Sequence, residues 1–187
     1  MRTSADKVMP NPTSQVPAWF ERKFTFTFPV EQYPNLCVRL RGTPARMEEL
    51  LREVPREKLV HKPAGKWSVQ EHAGHLYDIE WLWLKRVEDF VENGGDALTT
   101  ADLTNRRTDE ANHNAHPIQE ILARFRAARR ELLEELEKLQ PESFSLSKLH
   151  PRLQQPMRLV DHLYFAAEHD DHHLAKMWEL ICSGRNK

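Results

Sequence analysis

The chain is organised around the stretch AEHDDHHL, residues 167–174, which lies inside the last helix that the sequence predicts. Residues four positions apart lie one above the other on a helix, so His169 and His173 can reach one metal ion together, whereas His172 points elsewhere. With ten histidines in 187 residues, this spacing alone is a weak motif. Because two nitrogens do not complete the coordination of a divalent cation, the stretch predicts a third ligand from another helix.

The helix that carries this stretch is predicted to begin at Pro156 and to run to about Cys182. The two histidines share a face with apolar side chains, so they are predicted to point into the core. That face carries His162, Phe165, Ala166, His169, His173, Met177 and Leu180.

A second helix is predicted to start at the capping box of Ser68 and Glu71, which satisfies two of the free amides at a helix start. It runs to about Glu92 and is stopped by Asn93-Gly94-Gly95. Its broad main face is mostly apolar and carries His72, His75, Leu76, Ile79, Leu82, Trp83, Arg86 and Phe90.

His75 is the expected third ligand. At 1.5 Å per residue, it lies roughly 10 Å from the start of its helix, and His173 lies roughly 12 Å from the end of the last helix. If these helices are antiparallel neighbours, the imidazoles of His75, His169 and His173 meet at one level. His72 is the main competitor of His75 for this role. Three imidazoles buried together are costly without a shared cation, so a metal site explains them better than ordinary core packing does.

Two further helices complete the prediction. One has Thr43 as its N-cap and Pro44 at its first position, and it ends before Pro55. The other opens at Pro117 and ends at Pro141. Its apolar seam is interrupted by Arg129, which is expected to extend to the solvent at the edge of that face.

The connection between the second and third helices has 24 residues, from Asn93 to His116. It is too long for a simple turn, so it is either functional or carries a short helix around residues 108–114. A connection of this length lets the two helices run parallel. No second strand is found to pair with the alternating Phe24–Phe28 segment. The sequence therefore predicts an all-α four-helix bundle with the order up, down, down, up, in which residues 1–42 form an extended N-terminal arm and 43–187 the metal-binding domain.

The composition of the chain excludes some classes of binding partner. The net charge is -1 with acids and bases interspersed, which argues against binding to nucleic acid or to an anionic membrane surface. No stretch approaches the roughly 20 apolar residues of a membrane span, so the protein is expected to be cytoplasmic. With nucleic acid and membranes discounted, the expected partner is a small-molecule substrate. Cys37 and Cys182 are interpreted as ordinary thiols. An exposed tryptophan on a face of the bundle would suit a homodimer.

The segments WSVQEHAGHLYD (residues 67–78) and EHDDHHL (residues 168–174) together resemble the DinB-like family of metalloenzymes. The family pattern is a Trp-Ser helix start with a His-Leu-x-Asp element, followed by His-x-x-x-His in the last helix. The three ligand positions match at His75, His169 and His173, and the resemblance covers roughly residues 43–182. It implies a four-helix bundle that binds a divalent ion, with zinc or nickel favoured over iron or manganese.

Three nitrogen ligands leave a coordination position open. A water molecule there becomes a hydroxide nucleophile with a pKa near ~7, and a thiol is deprotonated outright. Characterised members of the family use low-molecular-weight thiols such as bacillithiol or mycothiol. The resemblance therefore implies a metal-dependent enzyme that activates a thiol cosubstrate for S-transfer, or a water as in a hydrolase. The alternative is a non-catalytic helical module that a metal staples together in a stress response.

Further polar and aromatic residues have expected roles around the histidine site. Asp78 is the candidate catalytic residue, since it follows His75 by three positions and could orient an imidazole or accept a proton; a plain salt bridge is an equal alternative. Glu168 is expected outside the chemistry. The long connection could place Asn105, His113 and Asn114 at the mouth of the site. The loop before the last helix carries His150 and Arg152, which could bind the carboxylates of an anionic thiol. The residues expected to be core or interface aromatics are Trp81, Trp83 and Trp178.

Overall fold

The computed structural model describes residues 15–92 and 94–183. The first fourteen residues of the predicted arm, and Asn93 of the predicted helix stop, lie outside them. The helices are α1 (Tyr33–Leu51), α2 (Arg56–Val60), α3 (Val69–Asp78), α4 (Glu80–Val91), α5 (Arg106–Glu110), α6 (Ile118–Glu137) and α7 (Leu159–Cys182). Two strands, β1 (Ser147–His150) and β2 (Gln155–Arg158), form an antiparallel hairpin before α7.

Two side-chain pairs give the relative directions of α1 and α6. Arg41 pairs with Glu137, and Arg126 pairs with Glu48 at 2.6 Å. Because the residue numbers rise in α1 while they fall in α6, these helices are antiparallel. The helix pair α1 and α6 therefore forms one side of the bundle.

Four contacts give the directions of the remaining helices. His72 meets His173 and His75 meets His169, so α3 and α7 are antiparallel. Gln70 donates to the carbonyl oxygen of His116, just before α6, and Glu80 pairs with Arg129 within it, so α3–α4 and α6 run parallel. The four long elements thus follow the predicted order up, down, down, up.

The core has two apolar parts, one toward each end of the bundle. One contains Leu40, Trp83 and Phe165, and the other contains Met47 and Phe125. Between them lies a buried ion-pair network, described below. The histidines at the centre of α3 and α7 lie at the same middle level.

The predicted start of the first helix is wrong, because α1 begins at Tyr33 and has Thr43 and Pro44 in its interior. Proline has no N–H to donate to the carbonyl of residue 40. That carbonyl, of Leu40, instead accepts a hydrogen bond of 2.9 Å from Arg129 Nη1. The helix therefore continues past a signal that usually starts one, and it crosses the boundary predicted between residues 42 and 43.

Arg129 does not reach the solvent, contrary to expectation. It is 1% exposed and pairs with Glu80 and Asp170, each at 2.6 Å. Burial opposes ionisation, but the carboxylates of Asp170 and Glu80 raise the pKa of Arg129 above its ordinary value. The charged side chain is held inside the bundle because every direction in which it donates contains an acceptor.

The absence of paired strands is a third wrong expectation, so the all-α class is only approximate. Leu149 pairs with Pro156 in the hairpin, and the turn places Gln154 at a φ of 51°. Pro156 lies in β2, and α7 begins at Leu159. The predicted second helix is also interrupted, at Ile79 between α3 and α4, although its capping box is present as expected.

The segment before α1 packs along α7. Phe24 is 9% exposed and its ring lies 4.9 Å from that of Phe165. No strand pairs with this segment among the described residues. Residues 15–32, called the strap below, therefore form an extended cover rather than part of a sheet. In the part of the chain that the structure describes, no helix is long and apolar enough to cross a membrane.

Candidate metal centre

The structure brings His75 from α3 together with His169 and His173 from α7. The Nε2 atom of His169 lies 3.4 Å from Nε2 of His75 and 3.3 Å from Nε2 of His173. Nitrogens of all three rings lie within 4.8 Å of one another, and all three residues are buried. The spatial convergence expected from the sequence is therefore present.

The spacing of these nitrogens fits a divalent cation. With metal–nitrogen distances of about 2.0–2.1 Å, two ligands of a tetrahedral zinc site are about 3.3–3.4 Å apart. Burial lowers the pKa of His75 to about 4 and lowers the pKa values of His169 and His173 well below the usual one. Coordination requires neutral imidazole, so the rings are in the required form at neutral pH.

The far nitrogens of the rings fix their orientation. His75 Nδ1 lies 3.0 Å from the hydroxyl oxygen of Thr108, and His173 Nδ1 lies 2.9 Å from His72 Nδ1. If these two Nδ1 atoms carry the ring protons, both Nε2 lone pairs face the common point. His169 Nδ1 is buried and has no hydrogen-bond partner among residues 15–92 and 94–183.

His72, the competitor of His75, lies behind His173 rather than in the cluster. Its Nδ1 contacts the nitrogen of His173 that points away from His169. Burial and the neighbouring His75 lower the pKa of His72 to about 3. A neutral His72 can thus accept a hydrogen bond from Nδ1 of His173 and hold that ring in place.

Three tryptophans surround the imidazoles. The rings of Trp19 and Trp83 lie 5.0 Å and 5.5 Å from that of His169, and Trp67 lies 4.8 Å from His75. Trp83 is 2% exposed, as expected of a core residue, whereas Trp81 is 45% exposed. The aromatic walls restrict the access of water to the nitrogens.

The two carboxylates on either side of His169 in the sequence, Glu168 and Asp170, hold the helices together. Glu168 pairs with Arg22 of the strap and with Arg39 of α1. Asp170 accepts a hydrogen bond of 2.7 Å from the hydroxyl of Thr43 and pairs with Arg129. Glu168 and Asp170 therefore point away from the imidazoles and serve the packing of α7.

Asp78 contacts an imidazole, but not that of a cluster member. It accepts a hydrogen bond of 2.7 Å from Nε2 of His113, at the end of the long connection. A Cβ atom on Gly74 would lie 2.3 Å from the His113 ring, so this close approach requires glycine. Asp78 thus attaches the connection to α3, and its catalytic role stays a prediction.

A cavity of about 140 Å³ adjoins the cluster and has His75 and His169 in its wall. Asn105, predicted at the mouth, lines it. His113 is buried against Gly74, and Asn114 accepts a hydrogen bond of 2.8 Å from Ser68 at the start of α3. The latter two therefore support α3 instead of lining the cavity. Further lining residues come from the strap, α4, the connection, the hairpin and α7, and they include Trp19, Trp83, Arg86, His150, Arg152 and Phe165.

Sequence reasoning missed Thr108 as the partner of His75 and Trp19 as a wall of the site. The length and polarity of the 93–116 connection were the signal for Thr108. Nothing in the local sequence could place Trp19, because its position depends on how the strap packs against Phe165.

Comparisons with known proteins concern the fold and the family of the chain. A solved structure described as YfiT from Bacillus subtilis, "a probable metal-dependent hydrolase with an unusual four-helix bundle topology", matches with a TM-score of 0.73 and 20% identity, over 86% of this chain and 91% of that one. No curated protein matches the chain. The family model of the DinB superfamily matches residues 39–177. This match spans most of the sequence, and the chain therefore belongs to the DinB superfamily.

Proposed function

We propose that the protein is a metal-dependent hydrolase whose cation is held by His75, His169 and His173. The observation that carries this proposal is the convergence of three buried imidazoles beside a cavity, with His169 Nε2 at 3.4 Å and 3.3 Å from the Nε2 atoms of His75 and His173. The description of YfiT as a probable metal-dependent hydrolase supports the same class of reaction. Zinc and nickel are the cations to test first, and both accept imidazole nitrogens.

Three ligands from the protein leave room for a reactant, which separates a catalytic site from a closed structural one. A divalent cation bound there would acidify water and polarise a carbonyl group of the substrate. Thr108 and His72 orient the rings of His75 and His173. Trp19, Trp67 and Trp83 exclude bulk water, which strengthens the electrostatic interactions inside the cavity.

Metal binding and turnover are tested with chelator-treated protein to which zinc or nickel is returned. We expect one equivalent of cation by elemental analysis and hydrolysis within a panel of small esters and amides. His169→Gln should lose both. His61→Gln is the matched control because His61 is exposed and outside the cluster, and it should retain both.

The same experiment separates the alternatives. Turnover that requires an added low-molecular-weight thiol and an electrophile would replace the hydrolase by an S-transferase. A stoichiometric cation that raises the melting temperature without turnover in either panel would indicate a metal-stapled module. Failure of the wild-type protein to retain any divalent cation would contradict the proposal.

A further inference from the structure

The cavity beside the histidine cluster also contains two arginines and a further histidine, Arg86, Arg152 and His150, to which the proposed function gives no role. They come from separate elements, Arg86 from α4 and the other two from the hairpin. All three offer N–H groups. What they lack is an acceptor.

Arg86 is 2% exposed and has no carboxylate at ion-pair distance in the described ranges 15–92 and 94–183. Its Nε donates to the carbonyl oxygen of Thr99 at 2.9 Å. The carboxylate that acts on it electrostatically, Asp89, is used by the backbone N–H of Thr99 at 2.6 Å and by Lys85 at 3.8 Å. Burial, with a contribution from Arg152, lowers the pKa of Arg86 to about 10.

The nitrogens of His150 and Arg86 that face each other are both hydrogen-bond donors. Its Nδ1 accepts from the backbone N–H of Leu153 at 3.1 Å, so the single proton of the neutral ring is on Nε2. That Nε2 lies 3.3 Å from Nη1 of Arg86, which is also a donor. Burial and the charges of Arg86 and Arg152 lower the pKa of His150 to about 3, so the ring carries only one proton at neutral pH. Two donors therefore face each other.

Arg152 adds a second uncompensated cation. Its Nη2 is buried and makes no hydrogen bond within the described part of the chain. The guanidinium lies over the rings of Phe20 and Phe165, at 5.4 Å and 5.6 Å from their centroids. These aromatic faces hold the group in place but give its N–H groups no oxygen.

We infer that this cluster binds the carboxylate of a small ligand. A carboxylate has two oxygens in the planar arrangement that guanidinium recognises, and it can accept from Arg86, Arg152 and His150 Nε2 together. The cavity of about 140 Å³ is similar in size to one of ~150 Å³ that admits benzene. Leu82, Trp83 and Phe165 supply an apolar lining for the body of the ligand.

This inference rests on the proposed function for the other end of the ligand. His75 and His169 line the same cavity as the arginines. A substrate bound by its carboxylate can thus present an ester or amide group to the histidine cluster. The substrate class is therefore a small ester or amide that also carries a free carboxylate.

Binding is tested by calorimetry on metal-free protein, so that the cation itself cannot capture the probe. We use benzoate, benzamide as its neutral counterpart, and inorganic phosphate. Benzoate should bind, and benzamide should bind at least about tenfold more weakly. Equal binding of both, or tighter binding of phosphate than of benzoate, would overturn the carboxylate assignment.

Arg152→Gln is the main variant because Arg152 is only partly buried and lies in the hairpin turn. It should weaken benzoate binding about tenfold or more. The matched control is Arg126→Gln, which removes the same charge from an exposed pair with Glu48 and should leave binding unchanged. Equal weakening by both variants, or by neither, contradicts the inference.

The metal-loaded enzyme then separates this inference from the proposed function. Hydrolysis of neutral esters without any benzoate binding would remove the inference and keep the hydrolase. Benzoate binding that depends on Arg152, without hydrolysis of any ester, would keep the anion site and remove the hydrolase. If both hold, Arg152→Gln should raise KM for esters with a free carboxylate by a larger factor than KM for neutral esters.

Discussion

Arg129 and Arg86 are equally buried, at 1% and 2% exposed, but they have opposite surroundings. Arg129 donates to both carboxylate oxygens of Glu80 and of Asp170, and to the carbonyl of Leu40. Arg86 has one backbone acceptor, at Thr99, and faces a second donor at His150. A buried charge that is fully paired serves the fold, whereas one left without an acceptor marks a place for a ligand.

The two environments also shift the arginine pKa values in opposite directions. Two carboxylates raise the pKa of Arg129, despite burial, whereas burial lowers that of Arg86 to about 10. The histidine cluster also contains a buried polar atom without a partner in the described structure, Nδ1 of His169. Unpartnered polar atoms of Arg152 and His169 thus lie at the cavity, whereas the fully paired Arg129 holds the helices together.

The largest expected effect is at Arg129. Arg129→Met would leave Glu80 and Asp170 buried without their cation, and we expect the free energy of unfolding to fall by about 3–5 kcal/mol. Urea denaturation of the metal-free protein measures it. Arg126→Met, in an exposed pair, should lose no more than about 1 kcal/mol. Similar losses in both variants would show that the buried network does not stabilise the fold.

Thr108→Val tests the support of His75. It removes the hydroxyl that pairs with His75 Nδ1 and preserves the shape of the side chain. We expect zinc affinity to fall by about 10–100-fold, the usual effect of losing a group that orients a ligand. Competition with a chromophoric chelator measures this change. Unchanged affinity would mean that packing alone orients His75.

The acid sensitivity of the metal-free protein has a defined sign. His150 is neutral in both states above pH 6.5, but below it the unfolded chain takes up a proton that the folded chain refuses until about pH 3. The free energy of unfolding should fall with decreasing pH by about 1.4 kcal/mol per pH unit for this histidine. His150→Gln, followed by urea titrations from pH 7 to 4, should give a shallower slope; an identical slope would contradict the pKa shift.

The smallest effect is expected at Arg152. A cation without a paired carboxylate contributes little to the fold, so Arg152→Gln should change the free energy of unfolding by no more than about 0.5 kcal/mol. Together with weakened benzoate binding, this result would assign Arg152 to ligand recognition. A loss comparable to that of Arg129→Met would remove the contrast between the two arginines.

Local sequence signals predicted what depends on local physics. The Ser68–Glu71 capping box and the helix after Pro117 are present because their signals lie within a few residues. The meeting of His75 with His169 and His173 followed from counting residues along two helices. The length of the 93–116 connection predicted the parallel pair of helices, and short helical turns at 106–110 and 113–115 lie where one was expected.

Contacts distant in sequence decided what the local signals missed. Thr43 and Pro44 form a strong helix start, but Arg129 supplies the hydrogen bond that Pro44 cannot. The same residue appeared to be a surface cation because its two carboxylate partners lie 41 and 49 positions away. Arg86 was placed on the correct face, but its missing acceptor is visible only in three dimensions.

The parallel run of α4 and α6 obliges the connection between them to travel back along the bundle, and on its way it passes the cavity. The strap and the hairpin reach the same place, so non-helical segments form much of the cavity wall while the helices hold the imidazoles. Segments of this kind tolerate replacement far better than packed helices do. Such an architecture lets evolution retain the histidine cluster and change the residues that line the cavity beside it.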